Sequence, residues 1–161
     1  MQQTEVQLQR VRRAVETYAQ GVVRFAFSYL RCLADAEDVA QEVFLAYMKK
    51  APAFRDTAGE RAWIFRVTAN KCKNVLKSGW FKSRNPLPEE LPAAPQDRDV
   101  LEAVLSLREK YRVPIHLYYY EDYSIREIAE LLGASPATVG TWLARGREIL
   151  RAQIGGIDDE V

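Results

Sequence analysis

Apolar residues recur with the period of an α-helix along most of this chain, and the pattern is most regular between residues 123 and 150. Ile125, Ile128, Ala129 and Leu132 fall at positions i, i+3, i+4 and i+7, which puts them on one face of a helix. A second helical pattern follows at once, with an inward side that comprises Val139, Leu143 and either Ile149 or Leu150.

The residues around these two patterns carry helix start and stop signals. Ser124 with Glu127 three residues later forms a capping box. Gly133 can adopt the left-handed conformation that ends a helix, and Ser135 with Pro136 begins the next one. Two helices joined by so short a turn predict a helix-turn-helix, whose second helix enters the DNA major groove.

The outer face of the second helix is small, hydroxylic and basic. Small side chains allow close approach to a groove, and arginine can reach phosphates or guanine edges. A helical hairpin that only builds core remains the alternative for this stretch alone. The residues of this outer face are Ala137, Thr138, Gly140, Thr141, Ala144, Arg145 and Arg147.

Residues 33–50 predict another helix, with Asp35 as its cap and acids in its first turns, which suits the helix dipole. Val39, Val43, Ala46 and Tyr47 can face a core. A second face then forms an acidic stripe with one apolar residue in it, and spacing alone favours an ordinary solvated face. That stripe comprises Asp38, Gln41, Glu42 and Leu45.

Residues 60–77 predict a helix with one basic face that carries cations and amides and no carboxylate. A face meant only for solvation usually mixes signs, so we favour contact with nucleic acid. Trp80 and Phe81 follow among further cations and either stack on unpaired bases or fold back as a lid. The polar side of the helix comprises Arg66, Asn70, Lys71, Lys73, Asn74 and Lys77.

The remaining segments complete an all-α prediction of two small helical domains. Residues 5–31 read as one helix, with Val11, Val15, Tyr18, Val22, Phe25 and Tyr29 as its inward positions. Four prolines within residues 84–97 mark an extended linker, residues 99–111 predict an amphipathic helix, and Pro114 is expected to open the next. The predicted domains are 1–83 and 99–155, with a linker at 84–98 and an acidic tail at 156–161.

Composition limits the chemistry that the chain can perform. The net charge is only +1, but residues 61–84 hold seven Lys and Arg and no acid. Cys32 and Cys72 are too few for a metal site or a disulfide framework, and His116, interpreted as structural or surface, is the one histidine. No apolar run approaches the roughly 20 residues that span a bilayer. We expect a soluble cytoplasmic protein with no cofactor and no catalytic set.

The motifs in this order resemble a bacterial RNA polymerase sigma factor. They are DAEDVAQEVFLAYMKK, AWIFRVTANKCKN, the Pro-rich linker and YSIREIAELLGASPATVGTWLARGREIL. The similarity is to the small extracytoplasmic-function (ECF) type, built from sigma domains 2 and 4, and it covers about residues 10–154. It implies a non-enzymatic subunit that directs promoter-specific initiation, recognises −10 and −35 elements and helps to melt DNA.

The resemblance implies a role for each surface. Core polymerase binding, against the β′ clamp helices, falls on Asp38, Gln41, Glu42 and Phe44 or Leu45, which reverses the interpretation as a solvated face. Contact with the −10 element falls on Arg66, Asn70, Lys73, Asn74, Lys77, Trp80 and Lys82, with residues 78–84 as a loop that can hold an extruded base. Contact with the −35 element falls on Ser135, Thr138, Gly140, Thr141, Arg145 and Arg147.

The implied partners are the polymerase core, through its β′ clamp helices and β flap, promoter DNA and an anti-sigma factor. No small-molecule substrate is implied, and the free protein is expected to be a monomer. The recognition helix departs from the family pattern at Gly140, Trp142 and Gly146, and two glycines would soften it. Rival hypotheses are a stand-alone dimeric helix-turn-helix regulator and a structural helical adaptor.

Overall fold

The computed structural model describes residues 2–78 and 96–154, and its regular structure there is entirely α-helical. The first three helices are α1 (Gln2–Leu30), α2 (Leu33–Lys50) and α3 (Thr57–Lys77). The other four are α4 (Gln96–Ser106), α5 (Glu109–Tyr119), α6 (Ile125–Leu132) and α7 (Pro136–Ile154). They form two compact units, Met1–Phe81 and Lys82–Val161. The predicted all-α class with two helical domains is confirmed, whereas the exact domain and linker boundaries stay a prediction.

The N-terminal unit packs α1 against both α2 and α3 around an aromatic and β-branched core. The Phe25 and Phe65 rings stack with centroids 5.1 Å apart, which joins α1 to α3. Val22, Phe25 and Tyr29 are buried as expected, but Val15 is exposed and Ala14 is buried. Val15 was therefore wrongly predicted to face inward, since the buried side of α1 at this point carries the neighbouring Ala14.

Two helix starts differ from the sequence prediction. Cys32, in an extended conformation, is the N-cap of α2, and Asp35 is instead a buried residue of its first turn. Helix α3 begins at Thr57 rather than Glu60, because the Asp56 side chain accepts a hydrogen bond of 2.7 Å from the Gly59 backbone N–H. This cap satisfies one of the donors that a helix start leaves unpaired.

The C-terminal end of α2 is held by side chains of α1. The Gln7 amide donates a 2.5 Å hydrogen bond to the Met48 carbonyl. The Arg10 guanidinium donates to the carbonyls of Ala51 and Pro52. The last carbonyls of a helix have no partner within the helix, so these contacts from α1 stabilise the end of α2.

The C-terminal unit contains a helix break that the sequence prediction missed. The expected helix over 99–111 ends at Ser106, and α5 begins at Glu109. Arg112 lies buried and donates a 2.6 Å hydrogen bond to the Leu107 carbonyl, which satisfies the backbone at the break. Pro114 lies inside α5 rather than opening it, so α5 lacks one backbone hydrogen bond there.

The helix-turn-helix forms as predicted. Both hydrogen bonds of the capping box between Ser124 and Glu127 are present. Gly133 is left-handed at φ 69°, ψ 37°, and ends α6. The Ser135 hydroxyl then accepts the Thr138 backbone N–H at 3.1 Å, and Pro136 is the first residue of α7. Val139 and Leu143 are fully buried against the rest of the unit, which fixes the outward face of α7.

Candidate functional surfaces

The acidic stripe on α2 is solvent-exposed along its whole length. Four residues form it: Asp38, Gln41, Glu42 and Leu45. Leu45 is 50% exposed. Phe44, the other apolar candidate for this surface, lies buried in the core with 9% exposure. The structure therefore leaves Leu45, and not Phe44, available to a partner.

The basic stripe is the outer face of α3. Arg66, Asn70, Asn74 and Lys77 are exposed, and Lys73 is half-buried beside them. Their spacing of i, i+4, i+7, i+8 and i+11 keeps them on one side of the helix. The opposite side of α3 is anchored by Ile64, Phe65, Thr68 and Cys72, all of which are buried. Trp80 and Lys82, predicted as part of this surface, lie outside the described residues.

An aromatic cluster borders the basic stripe. Trp63, one turn before Arg66, meets Phe54 edge-on at 6.0 Å between centroids and Tyr47 at the same distance. The Arg10 guanidinium lies over the rings of Tyr47 and Phe54, at 5.1 and 5.6 Å from their centroids. These contacts join the loop before α3 to all three helices of the unit.

A cavity of about 390 Å³ lies beside this cluster. Phe54 supplies an aromatic wall, and cations and carboxylates supply the polar walls. The sequence prediction missed it because its lining comes from α1, from the loop after α2 and from the start of α3. The lining residues are Arg10, Arg13, Ala53, Phe54, Asp56, Thr57 and Glu60.

Glu60 is a buried carboxylate that the sequence pattern did not single out. It is 3% exposed, and its oxygens accept hydrogen bonds from Arg13 at 3.0 Å, Tyr18 at 3.2 Å and Tyr47 at 2.6 Å. A buried carboxylate needs such partners, since leaving it unpaired costs several kcal/mol. No sequence period marks the cluster, because its members come from three different helices.

The recognition face of α7 consists of Ser135, Thr138, Thr141 and Arg145, all of which are exposed. The Ser135 and Thr138 hydroxyls are 2.8 Å apart and cap the helix, and the Thr141 hydroxyl donates to the Ala137 carbonyl at 3.1 Å. Arg145 makes no hydrogen bond or ion pair within the described part of the chain.

Arg147 and the two glycines of α7 differ from the recognition face. Arg147 is half-buried and donates a 3.1 Å hydrogen bond to the Tyr119 hydroxyl, so its guanidinium is held on the flank of α7. Gly140 has open space where a Cβ would stand. Gly146 is buried, and a Cβ there would lie 3.0 Å from Cγ1 of Ile115. Gly146 therefore allows α7 to approach α5 closely, which the expectation of a softened helix did not foresee.

The described part of the chain offers no candidate metal site and no candidate membrane span. His116 is buried and pairs with Glu121 at 2.9 Å, which fits a structural role. Among residues 2–78 and 96–154, no group of histidine, cysteine or acidic residues could hold a metal ion. In those same ranges, no helix is long and apolar enough to cross a membrane.

The two units match two models of one protein family. Sigma-70 region 2 matches residues 14–81, and sigma-70 region 4 matches residues 97–150. The first match contains α2 and α3 with the acidic and basic stripes, and the second contains the helix-turn-helix. Region 2 precedes region 4 along the chain, which is the order of the two predicted domains.

Similar proteins of known function are sigma factors. The ECF RNA polymerase sigma factor SigW of Bacillus subtilis is 25% identical, with 87% of this chain and 86% of the relative covered. The ECF RNA polymerase sigma factor SigM of Mycobacterium tuberculosis is 28% identical, with 79% and 68% covered. The RNA polymerase sigma factor SigV of Bacillus subtilis is 26% identical, with 87% and 88% covered.

A solved structure has the same fold. The sigma factor RpoE, in its complex with the anti-sigma factor NepR from Bartonella quintana, matches with a TM-score of 0.74 at 18% identity. The match covers 91% of this chain and 98% of RpoE. At this identity the likeness establishes the fold of the chain.

Proposed function

Because the chain belongs to the sigma-70 family and is of the extracytoplasmic-function type, we propose that it binds core RNA polymerase and selects promoters through −10 and −35 elements. Sigma factors are non-catalytic initiation factors, so the chain is not an enzyme. The observation that carries the proposal is the separation of three exposed surfaces onto α2, α3 and α7. Polymerase synthesises the RNA in the cytoplasm, and this protein supplies the specificity.

The acidic stripe is the proposed site of polymerase docking. Three polar side chains precede the exposed Leu45 on the same face of α2, so a partner must offer both an apolar contact and positive charge. The resemblance implies the β′ clamp helices as that partner. Leu45 would supply buried apolar area at the C-terminal end of the stripe, and Asp38 and Glu42 would steer the encounter and fix the register.

Reversing the charge of the stripe tests this docking. We expect Asp38→Arg combined with Glu42→Arg to weaken binding to core polymerase by at least about a hundredfold, since close charge pairs across an interface couple by several kcal/mol. Both residues are exposed, so the chain should still fold. Binding is measured by fluorescence anisotropy of labelled protein titrated with sigma-free core enzyme.

The matched control carries the same charge change elsewhere on the N-terminal unit. Glu5 and Glu16 are exposed on α1, so Glu5→Arg with Glu16→Arg alters the net charge equally. We expect this control to bind core polymerase within about threefold of the wild type. Equal loss of affinity in both double variants would mean that net charge, and not the stripe, governs binding.

The basic stripe is the proposed contact with the −10 element. Lys77 follows Arg66 by eleven residues, which is about 16 Å along a helix. Since successive nucleotides of one strand rise about 3.4 Å, the stripe has the length of about five nucleotides. Arginine and lysine would contact phosphates, and the amides of Asn70 and Asn74 would contact base edges.

Strand opening needs a place for an unstacked base. Residues 78–84, including Trp80 and Lys82, remain the predicted place for it. The cavity beside the basic stripe is a second candidate, because Asp56 in its lining offers acceptors for base amino groups. Trp63 contacts Phe54 in the lining of this cavity and lies one turn before Arg66 of the basic stripe. A base captured there would therefore lie next to the bound strand.

The recognition face of α7 is the proposed contact with the −35 element. Arg145 has a guanidinium without a partner in the described residues and suits a guanine edge. Ser135 and Thr138, at the start of α7, lie where backbone N–H groups favour a phosphate. Gly140 leaves room for close approach, whereas Arg147 would contact DNA only from the flank.

We also propose that an anti-sigma factor controls this protein. RpoE, which shares its fold, is seen in complex with an anti-sigma factor. An inhibitor that covers the acidic stripe would exclude polymerase directly, since the exposed Leu45 can be buried by only one partner at a time. In the absence of that partner we expect the free protein to be monomeric.

A further inference from the structure

The Glu60 cluster connects the helix that carries the acidic stripe with the helix that carries the basic stripe. Glu60 lies in the first turn of α3, about two turns before Arg66. Its partner Tyr47 is two residues after Leu45 on α2, and its partners Arg13 and Tyr18 are on α1. The carboxylate therefore holds all three helices of the N-terminal unit at one point.

The chemistry of this contact differs from the surrounding apolar core. Apolar contacts are non-directional and restrict helix register through the fit of side-chain shapes alone. Hydrogen bonds to a buried carboxylate have narrow distances and angles, so they fix one register. The bond from Tyr47 to Glu60 is 2.6 Å, which is typical of a strong bond to an ionised acceptor.

The two tyrosines of the cluster have raised pKa values, in keeping with their hydrogen bonds to Glu60. Burial, and then the charge and the hydrogen bond of Glu60, raise the pKa of both Tyr18 and Tyr47. Both phenol hydroxyls donate to the Glu60 carboxylate in the structure. Arg13 compensates the buried charge, and its side chain is 56% exposed while that of Glu60 is 4% exposed.

We propose that Glu60, held by Tyr47 and Arg13, is a positioning residue that sets the register of the promoter-facing helix α3 on the polymerase-docking helix α2. This inference rests on the functions proposed for the acidic and basic stripes. Glu60 need not touch DNA or polymerase in this role. It transmits the orientation of the docked α2 to the basic stripe.

The test separates docking from promoter opening. Tyr47→Phe removes one hydroxyl and keeps the carboxylate, and Glu60→Gln removes the charge and keeps the shape. We expect both to bind core polymerase within about threefold of the wild type and to lower the equilibrium constant for open-complex formation by about tenfold. Opening is followed with 2-aminopurine in the −10 element on full-length promoter DNA.

A stability-matched control distinguishes positioning from simple loss of folding. Val22→Ala lies in the core of the same unit, one helical turn after Tyr18 but outside the hydrogen bonds to Glu60, and removes buried methyl groups. All variants are compared at the same interval below their own midpoint of thermal unfolding. We expect Val22→Ala to retain promoter opening there, whereas Tyr47→Phe and Glu60→Gln do not. If Glu60→Gln fails to fold, Tyr47→Phe decides the question alone.

The outcomes are distinct. If the wild type neither binds polymerase nor opens promoters, the proposed function falls and this inference falls with it. If the wild type does both and the cluster variants match Val22→Ala, only the inference is overturned. If the double variant Tyr47→Phe with Glu60→Gln loses no more than either single variant, the two residues act as one unit, as proposed.

Discussion

The two glycines of α7, Gly140 and Gly146, have different surroundings in the structure. A glycine inside a helix costs about 1 kcal/mol relative to alanine. Gly146 offsets that cost because its missing Cβ lets α7 lie against Ile115. Gly140 has no neighbour within 4 Å of a Cβ, so nothing within the described unit explains it. This difference could not be seen in the sequence, since it depends on which helix faces each position.

These roles predict opposite effects of alanine. We expect Gly140→Ala to raise the free energy of unfolding of the C-terminal unit by up to about 1 kcal/mol. Gly146→Ala should lower it by about 1 kcal/mol, because strain against Ile115 exceeds the gain in helix propensity. Urea unfolding followed by circular dichroism measures both. A stabilising Gly146→Ala would mean that α7 and α5 are less closely packed than the structure has them.

The two arginines of α7 also differ. Arg145 is on the recognition face, whereas Arg147 is held by Tyr119. We expect Arg145→Ala to lower the affinity of the holoenzyme for promoters with a −35 element by about tenfold and to lose discrimination at one base pair. Arg147→Ala should retain that discrimination. Equal loss of sequence discrimination in both variants would contradict the assignment.

At the scale of helices, the sequence correctly predicted the helix boundaries that neighbouring residues control. The capping box at Ser124, the stop at Gly133 and the start at Pro136 depend only on neighbouring residues, and all three are correct. Cys32 replaced Asp35 as the cap of α2, and a break after Ser106 divided one predicted helix into two. At the break, the Arg112 guanidinium donates to the Leu107 carbonyl five residues earlier, a contact that the apolar period does not reveal.

The candidate surfaces were also predictable only where they depend on the helical period of neighbouring residues. Periodicity placed Asp38, Glu42 and Leu45 on one exposed face of α2, but it left Phe44 as an equal candidate, and the structure shows that Phe44 is buried. The Glu60 cluster was not predictable, because Arg13 and Tyr47 reach it from residues 47 and 13 positions away. A glutamate among the apolar positions of α3 was the one signal in the sequence.

The basic stripe of α3 gives a prediction that separates its residues by chemistry. We expect Lys73→Ala to weaken promoter binding and to reduce the slope of log affinity against log salt by about one, because one phosphate contact is lost. Asn70→Ala should weaken promoter opening and leave that slope unchanged, since an amide releases no counterion. Holoenzyme binding to promoter DNA between 50 and 200 mM salt, roughly the range over which phosphate contacts dominate, measures both.

The control for this pair is Arg12→Ala, which removes an exposed cation from α1 in the same unit. It should leave both promoter affinity and the salt slope as in the wild type. Retained core binding in all three variants is expected, since none belongs to the acidic stripe. Unchanged promoter opening in both Lys73→Ala and Asn70→Ala would contradict the role of α3.

At the scale of the whole molecule, the charge distribution fits a subunit that works only with polymerase. The net charge is +1 although residues 61–84 are strongly basic. A strongly basic protein would bind DNA everywhere, since phosphate contacts do not distinguish sequences. If the two proposed DNA surfaces are each modest, tight binding depends on the core enzyme that engages both. We therefore expect weak promoter binding by the free protein.

The most direct test is transcription in vitro with the purified chain, sigma-free core polymerase and fragmented DNA from the source organism, followed by sequencing of RNA 5′ ends. We predict discrete start sites that share two upstream motifs at a fixed spacing, all of which disappear with the Asp38→Arg, Glu42→Arg variant. Initiation at fragment ends alone, with no gain over core polymerase, would contradict it.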